Sequence, residues 1–456
     1  MKSVRIPEII SSVKKIKNKT KVYLVGGAVR DLLMGIEPKD FDFVVEGKGI
    51  KFGKNFAKFI KGTFVLLSTE DDEARVVKDD YNFDFNGLGN ESLETNLKDR
   101  DFTINTLTVD LDQIDKIIDL HSGLEHLDAR KLVPVSKDSL KLDPLRLLRG
   151  FRFAVELGFE LQRPFFIQAR KVKLDRVAPE RISYELMRIL SNDSSFPYIK
   201  MMNRLGIFQQ IMPEAQPIIK NRTLWKHSLI TYQSIEELIK KRKSVFKKYE
   251  REFDEYLSTP RKRGLLKLAG LLHDIAKPHT QLITSRGETH FYGHDTRGAK
   301  LVETIGYERL KLSRADIDTL ITLVKEHMRL HLLATGPELT DRAIRRFFRD
   351  LRQEYAGAMI LAWADGYATA GHTRHLETTF QRMLELKRAD EAKPKIERLI
   401  NGYDLIEELK ITPGPIFKII LNEVFEQQLE GKIKNRSEAL DLAKKIYEAN
   451  KEKENR

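Results

Sequence analysis

Apolar and polar positions follow two different periods along this chain. Over residues 1 to about 135, short apolar runs (KVYLVGG, FDFVVEG, GTFVLLS, ARVV, YNFDFN and TLTVDL) alternate with brief helical patterns, which predicts a mixed sheet with helices. From about Leu142 onward apolar residues recur every three or four positions almost without interruption. DPLRLLRGFRFAVELG, PERISYELMRILS and RAIRRFFRDLRQEYAGAMILAWADGYA read as amphipathic helices between short Gly, Pro or Asn breaks. The pattern predicts an α+β chain with a mixed head over 1–135 and an all-helical remainder. That remainder divides into a neck over 136–214, a body over 215–385 and a tail over 386–456.

One strand of the head interrupts its apolar run with acids. In EPKDFDFVVEG, Asp40 and Asp42 stand two residues apart, and a strand projects residues i and i+2 from the same face. Two carboxylates that close repel, so the pair calls for a cation, a shared proton or open water. A polar edge strand in solvent is the plain alternative. Upstream, KVYLVGGAVRDLLMG passes from strand to helix through Gly26 and Gly27, where the backbone can approach a ligand closely and the free amides of a helix start favour phosphate. Phosphate-binding amides beside two metal-binding carboxylates are the equipment for Mg²⁺-dependent phosphoryl or nucleotidyl transfer. Asp84, alternating with Phe83 and Phe85 in YNFDFN, is a candidate third acid, although a solvent-facing Asp on that strand reads the same.

Length and composition narrow the class. The 456 residues, 41% of them hydrophobic, suffice for two to four domains with real cores. Lys and Arg number 80 against 67 Asp and Glu, a net charge of +13, which favours a polyanionic partner, with a thermophile's Lys-rich surface as the alternative. The absence of cysteine excludes disulfides and thiolate zinc sites, leaving His and carboxylate as metal ligands. No apolar run reaches the roughly 18 residues of a membrane span, and MKSVRIPEIISSVKKIKNK lacks a signal-peptide core. The expectation is a cytoplasmic protein with no membrane partner.

LVGGAVRDLLMG followed by DFDFVVEG resembles the signature of the class II tRNA nucleotidyltransferases and bacterial poly(A) polymerases, the CCA-adding branch of the polymerase beta superfamily. The resemblance continues in order through RDFTINTL, DPLRLLRGFRFAVELGF and ERISYEL. It implies a polymerase-beta-like head in which Asp40 and Asp42 bind catalytic metal. It also implies a nucleotide site drawn from Gly26, Gly27 and Arg30 of the first motif and Arg100, Asp101 and Asn105 of the third. Asp143 and Arg146 match the residues that read base edges as a protein template, while Leu142 replaces the family's Glu, which normally braces that arginine. Carboxylate acceptors and a guanidinium fork can complement the Watson–Crick edge of C or A, although Asp143-Pro144 is also a plain helix start. Arg146, Arg149 and Arg152 recur every third residue and suit a triphosphate, with a solvated basic face as the alternative for Arg152.

The partners so implied are tRNA, CTP and ATP. In the family a mobile loop before the third motif helps the template switch from C to A. Here the passage from Phe85 to Asp101 holds only a Gly-containing turn and the short helix SLETNLKD. The expectation is addition of C that stops at CC, with a separate A-adding enzyme acting on the same tRNA. Complete CCA addition and poly(A) synthesis are the alternatives, and a phosphohydrolase with an inactive head is disfavoured by the intact Asp40 and Asp42.

A second constellation lies in the body: His227, the adjacent pair His273-Asp274, His294, His327 and Asp365. A lone helical His is usually structural, but His and Asp side by side in an apolar helix are costly to bury without a ligand. The spacing resembles the HD metal-dependent phosphohydrolases. By that match His227, His273, Asp274 and Asp365 hold a divalent metal of unspecified identity, and His294 and His327 add a second metal or bind phosphate. The tail, INGYDLIEELKITPGPIFKIILNEVFEQQLEGKIKNRSEALDLAKKI, resembles the family's end region and suits an RNA backbone.

Overall fold

Phe41, Phe43, Phe83 and Phe85 alternate with Asp40, Asp42, Asn82 and Asp84, and this alternation organises the head. Seven strands, β1 (Val22–Val25), β2 (Asp40–Val45), β3 (Thr63–Ser68), β4 (Glu73–Lys78), β5 (Tyr81–Gly87), β6 (Thr108–Asp110) and β7 (Ile117–Ile118), make one sheet in the order β3-β4-β5-β2-β1-β6-β7. β2 and β5 run parallel, with Phe41 opposite Phe83 and Asp42 opposite Asp84. The four phenyl rings, all buried, stack in pairs 5.6 and 5.1 Å apart. Helix α1 (Gly27–Leu33) follows β1, and α2 (Gly49–Ile60) sets Phe52 and Phe56 against the phenyls. Burying each phenyl is worth roughly 1.5–3 kcal/mol. A one-residue slip would exchange these rings for carboxylates, so the register is strongly specified and the acids must occupy the opposite face.

The computed structural model describes residues 7–246, 249–392 and 397–454; the first six residues of the amphipathic N-terminal pattern lie outside them. The chain divides into two compact units, Met1–Met328 with Ala356–Thr373, and Arg329–Tyr355 with Arg374–Arg456. In the first unit the short helix α3 (Leu93–Lys98) closes one end of the acid face. Its Leu97, fully buried, packs with Leu88 onto Tyr23, Val25 and Val44. Beyond the head come α4 (Arg146–Leu157), α5 (Pro179–Ser191), α6 (Arg222–Phe246), α7 (Pro260–Leu272), α8 (His294–Thr304), α9 (Arg314–Thr335) and α10 (Tyr355–Ala370). Lys267 of α7, fully buried, joins α6 through a 2.7 Å bond to Glu236, which also accepts from Ser195.

The second unit has its own core of Ile400, Leu405, Ile411, Ile420, Val424, Ile433, Ala439 and Ala443. Three features depart from the expected outline. The boundary expected at 385/386 falls inside the helix Arg374–Glu391, and 329–355 groups with the tail. The long apolar stretch read as one helix is broken at Arg352, whose φ of 48° is left-handed, so its two halves serve different units. The region read as all-helical also contains a hairpin, Gln281–Ile283 with Thr289–Phe291, turned near Gly287. Among the described residues no helix is long and apolar enough to cross a membrane.

Candidate active site and metal centre

The acid face of the sheet opens onto a cavity of about 370 Å³ lined by Gly27, Arg30, Asp42, Asp99, Arg100, Asp101, Asn105, Asp143, Arg146, Arg149 and Phe153, a size in the range of small-molecule sites. Residues from both ends of the head and from the neck therefore meet there. Gly26 has φ 78° and ψ −140°, and a Cβ at this position would lie 2.5 Å from Arg100 Nη1 and 3.1 Å from Asp42 Oδ2. Only glycine lets the strand end approach both side chains so closely.

Asp42 is the electrostatic centre. Burial pushes its carboxyl up, Arg100 opposes the shift, and Asp84 and Asp40 reinforce it. Three carboxylates share this patch, with Asp40 accepting from Asn82 at 2.7 Å and Asp84 accepting twice from Arg75, at 2.7 and 2.8 Å. Crowding of Asp40 and Asp84 around the carboxyl of Asp42 is the kind of charge repulsion that a divalent cation relieves.

The arginines of the cavity differ in their engagement. Arg149 gives Nε to Asp101 at 2.8 Å, and Asp101 also accepts from Asn105 and from the Phe102 amide. Burial works against the charge on Asp101, but Arg149 and Asn105 outweigh it and hold the carboxyl below its usual range. Asn105 in turn accepts from Arg30 at 2.7 Å. Asp101 and Asn105 thus fix the two arginines in place, their polar atoms being already committed. Arg100 is different: burial weakens its charge, Asp42 and Asp101 support it, and its buried Nε has no partner. It is the cation poised for an anionic ligand.

Arg146 is held by four oxygens: the carbonyls of Asp99, Arg100 and Ser139, and the Ser139 hydroxyl. Leu142, which stands where a bracing Glu was expected, is 62% exposed and takes no part. The brace is supplied by backbone instead. Asp143 accepts from the Leu145 amide at 3.1 Å, as a helix-start Asp does, and from Arg181 at 3.1 Å, while still lining the cavity.

Of the candidate arginines, Arg152 is the one that does not line the cavity; Gly26, Asp40 and Asp84 also stand outside its lining. Arg152 is buried, bonded to Glu185 at 2.5 Å and Glu156 at 2.9 Å, and lies 4.1 Å above the Phe153 ring. Two carboxylates neutralise it, so it braces the neck rather than facing a triphosphate. Phe153, which the sequence reading missed, carries Arg30 and Arg149 on the same ring at 5.2 and 5.3 Å.

The body brings its six candidates together. His227 Nε2 lies 3.2 Å from His273 Nε2 and 2.9 Å from Asp365 Oδ1. His294 Nε2 lies 3.2 Å from His327 Nε2. Asp274 stands between the pairs, Oδ2 3.4 Å from His273 and Oδ1 3.5 Å from His294, so two three-residue ligand groups share it. His294 and His327 each donate Nδ1–H to a backbone carbonyl, Phe291 and Val324, both at 2.7 Å. In the neutral state their Nε2 lone pairs then face each other, an arrangement that a bound cation resolves. Burial opposes the charge on His273, but Asp274 and Asp365 raise its pKa to about 10, whereas burial and the neighbouring His273 lower His327 to about 4. Lys277, 2.6 Å from Asp274, is a further member that the sequence reading passed over; its signal is the i+3 spacing on a helical turn.

Comparison with known proteins follows this division. The poly A polymerase head domain matches residues 22–133, the probable RNA and SrmB-binding site of polymerase A 166–219, the HD domain 224–370, and a putative tRNA nucleotidyltransferase domain 2 residues 309–443. An A-adding tRNA nucleotidyltransferase of Deinococcus radiodurans is 29% identical over 91% of this chain and 93% of its own. A CC-adding tRNA nucleotidyltransferase of Thermus thermophilus is 29% identical over 91% of each, and a multifunctional CCA protein of Neisseria gonorrhoeae is 30% identical over 68% of this chain and 74% of its own. The Thermotoga maritima CCA-adding enzyme, solved in complex with tRNA, shares the fold at a TM-score of 0.65 over 97% of this chain and 96% of that one, with 20% identity. The chain belongs to the class II tRNA nucleotidyltransferase family, transferases of the 2.7.7 class, and carries an HD domain.

Proposed function

We propose that this enzyme adds C to tRNA 3′ ends from CTP and stops at CC, a separate A-adding enzyme completing the tail. The observation that carries this reading is the fixed template. Arg146 is tied to the carbonyls of Asp99 and Arg100, directly after α3, and α3 is anchored by the buried Leu97. A reader so held presents one hydrogen-bonding pattern. The equal identity to an A-adding relative favours a second reading, addition of A alone, because a fixed template accounts equally for either single specificity.

In the proposed site Asp40, Asp42 and Asp84 would hold Mg²⁺, which when bound would supply Lewis-acid activation of the RNA 3′-hydroxyl and neutralise charge on the phosphate. Gly26 and Gly27 give the phosphates room, Arg100 and Arg149 hold them, and Arg30, Asp101 and Asn105 keep Arg149 and the third motif in position. Asp143 and Arg146 read the base. In the body, His227, His273, Asp274 and Asp365, with His294 and His327, would hold divalent metal, whose chemistry there is hydrolysis of phosphoesters near an RNA end.

The deciding experiment supplies CTP, ATP or both to a tRNA lacking CCA and to one ending in CC, and sequences the products. A stall at CC with both nucleotides present supports C addition; a single A on the CC substrate alone supports the second reading. Complete CCA or a long A tail refutes the fixed template.

A further inference from the structure

We propose that Arg75 binds the terminal phosphodiester of the RNA end that is being extended, a contact that rests on the transfer reaction proposed above. β4 sets Arg75 directly opposite Asp84, and β5 sets Asp84 directly opposite Asp42. The three side chains therefore form one row across the open face of the sheet, away from α2. The arginine-lined cavity lies at the β1 end of this row, beside Gly27 and Arg100.

Nucleotidyl transfer is an in-line displacement. The RNA 3′-oxygen bonds to the α-phosphorus as the bond to pyrophosphate breaks, and the hydroxyl proton leaves to solvent. With the triphosphate held by the arginines at the β1 end, the attacking hydroxyl enters from the β5 and β4 side. The nucleotide bearing it carries a phosphodiester anion on its 5′ side, which needs a cation there. Of the residues that β4 and β5 place on this face, Glu73, Arg75, Val77, Asn82, Asp84 and Asn86, only Arg75 is cationic. Glu73 and Asp40 repel a phosphate, so the position against Arg75 is the one that this face offers.

The guanidinium is prepared for the task. Asp84 takes Nε at 2.7 Å and Nη2 at 2.8 Å, which fixes the plane of the fork and leaves three of its five N–H donors unspent. The side chain is 40% exposed, against 18% for Asp84, so RNA can reach it. As a bare surface ion pair it would contribute little.

The test uses the full-length chain with Arg75→Gln and Arg75→Lys, each checked by its thermal midpoint. Fluorescence anisotropy measures binding of a tRNA lacking CCA over a salt series, without nucleotide or metal. For Arg75→Gln the slope of log affinity against log salt should fall by about 0.7, the single-strand value for one lost phosphate contact, whereas Arg75→Lys should keep it. In steady-state addition the tRNA KM of Arg75→Gln should rise about tenfold, and the nucleotide KM less than twofold. An unchanged salt slope overturns the proposal. So does a fall in kcat with the tRNA KM unchanged, since Arg75 would then act only by positioning Asp84. If the wild-type chain transfers no nucleotide, the reaction assigned above fails, and the salt slopes still decide the RNA contact.

Discussion

Replacing Gly26 by Ala should damage this enzyme out of proportion to one methyl group. The residue sits at φ 78°, ψ −140°, a conformation that non-glycine residues adopt at a cost of roughly 1–3 kcal/mol. The new Cβ would also meet Arg100 Nη1 at 2.5 Å, where ordinary contact begins at 3.4 Å, so the guanidinium must retreat by about 0.9 Å. A misplacement of about 1 Å at a substrate-holding group costs on the order of 10²-fold in rate, close to 2.7 kcal/mol. The expected outcome is a fall of about 10²-fold in kcat/KM for nucleotide addition, with a thermal midpoint lower by several degrees. Gly27→Ala is the contrast: its Cβ meets only Arg30, at 3.5 Å, and should leave the midpoint within about a degree. A double-mutant cycle isolates the cause. Gly26→Ala combined with Arg100→Ala should be little worse than Arg100→Ala alone, because both remove the same contact. Full additivity, or a loss under threefold in the single variant, would refute the reasoning.

Asp42→Ala should reduce nucleotide addition below detection while tRNA affinity, measured by anisotropy, stays within about threefold, because in the proposed site the acid serves metal rather than RNA. Joint replacement of His273 and Asp274 by Ala should remove bound transition metal, read by elemental analysis, together with any phosphoesterase activity. Nucleotide addition should survive; loss of both activities in a folded variant would show that the two sites are coupled. Lys267→Ala should lower unfolding stability by about 3–5 kcal/mol in denaturant titration, since Glu236 is left charged in the core without its ammonium, whereas Lys267→Met with Glu236→Gln should recover part of the loss.

The parts of this fold that were legible in the sequence are those set by local period. The Phe/Asp alternation places Asp40, Asp42 and Asp84 on one face, because a strand has only two faces and the phenyls claim the other. Register between neighbours is harder, yet the pair Arg75 and Asp84 was within reach: Asp79-Asp80 forms a two-residue turn with Lys78 opposite Tyr81, and counting back sets Arg75 against Asp84. The fate of Arg152 was not legible, because Glu185 reaches it from another helix and no spacing along the chain announces that meeting. His227 and Asp365 illustrate the same limit in the body. They come within 2.9 Å only after α6 and α10 have folded against a common core, so the sequence marks the residue types and the resemblance supplies the grouping.

The exposed Leu142 and the short connection before Arg100 looked like two separate departures from the family pattern, but in the folded chain they are one. Arg146 takes its hold from the carbonyls of Asp99 and Arg100. Asp99 closes the C-terminus of α3, and α3 is fastened by Leu97 in the cluster with Tyr23, Val25, Val44 and Leu88. The connection that is too short to move is therefore the brace that replaces the missing carboxylate. Moving the guanidinium toward a second base would require breaking its hydrogen bonds to three backbone carbonyls and the Ser139 hydroxyl, or carrying α3 with it and withdrawing a fully buried Leu, and removal of a Leu side chain from a core costs roughly 2–5 kcal/mol. A penalty of that size corresponds to at least about thirtyfold preference for the resting arrangement, enough to account for the single-base specificity proposed above.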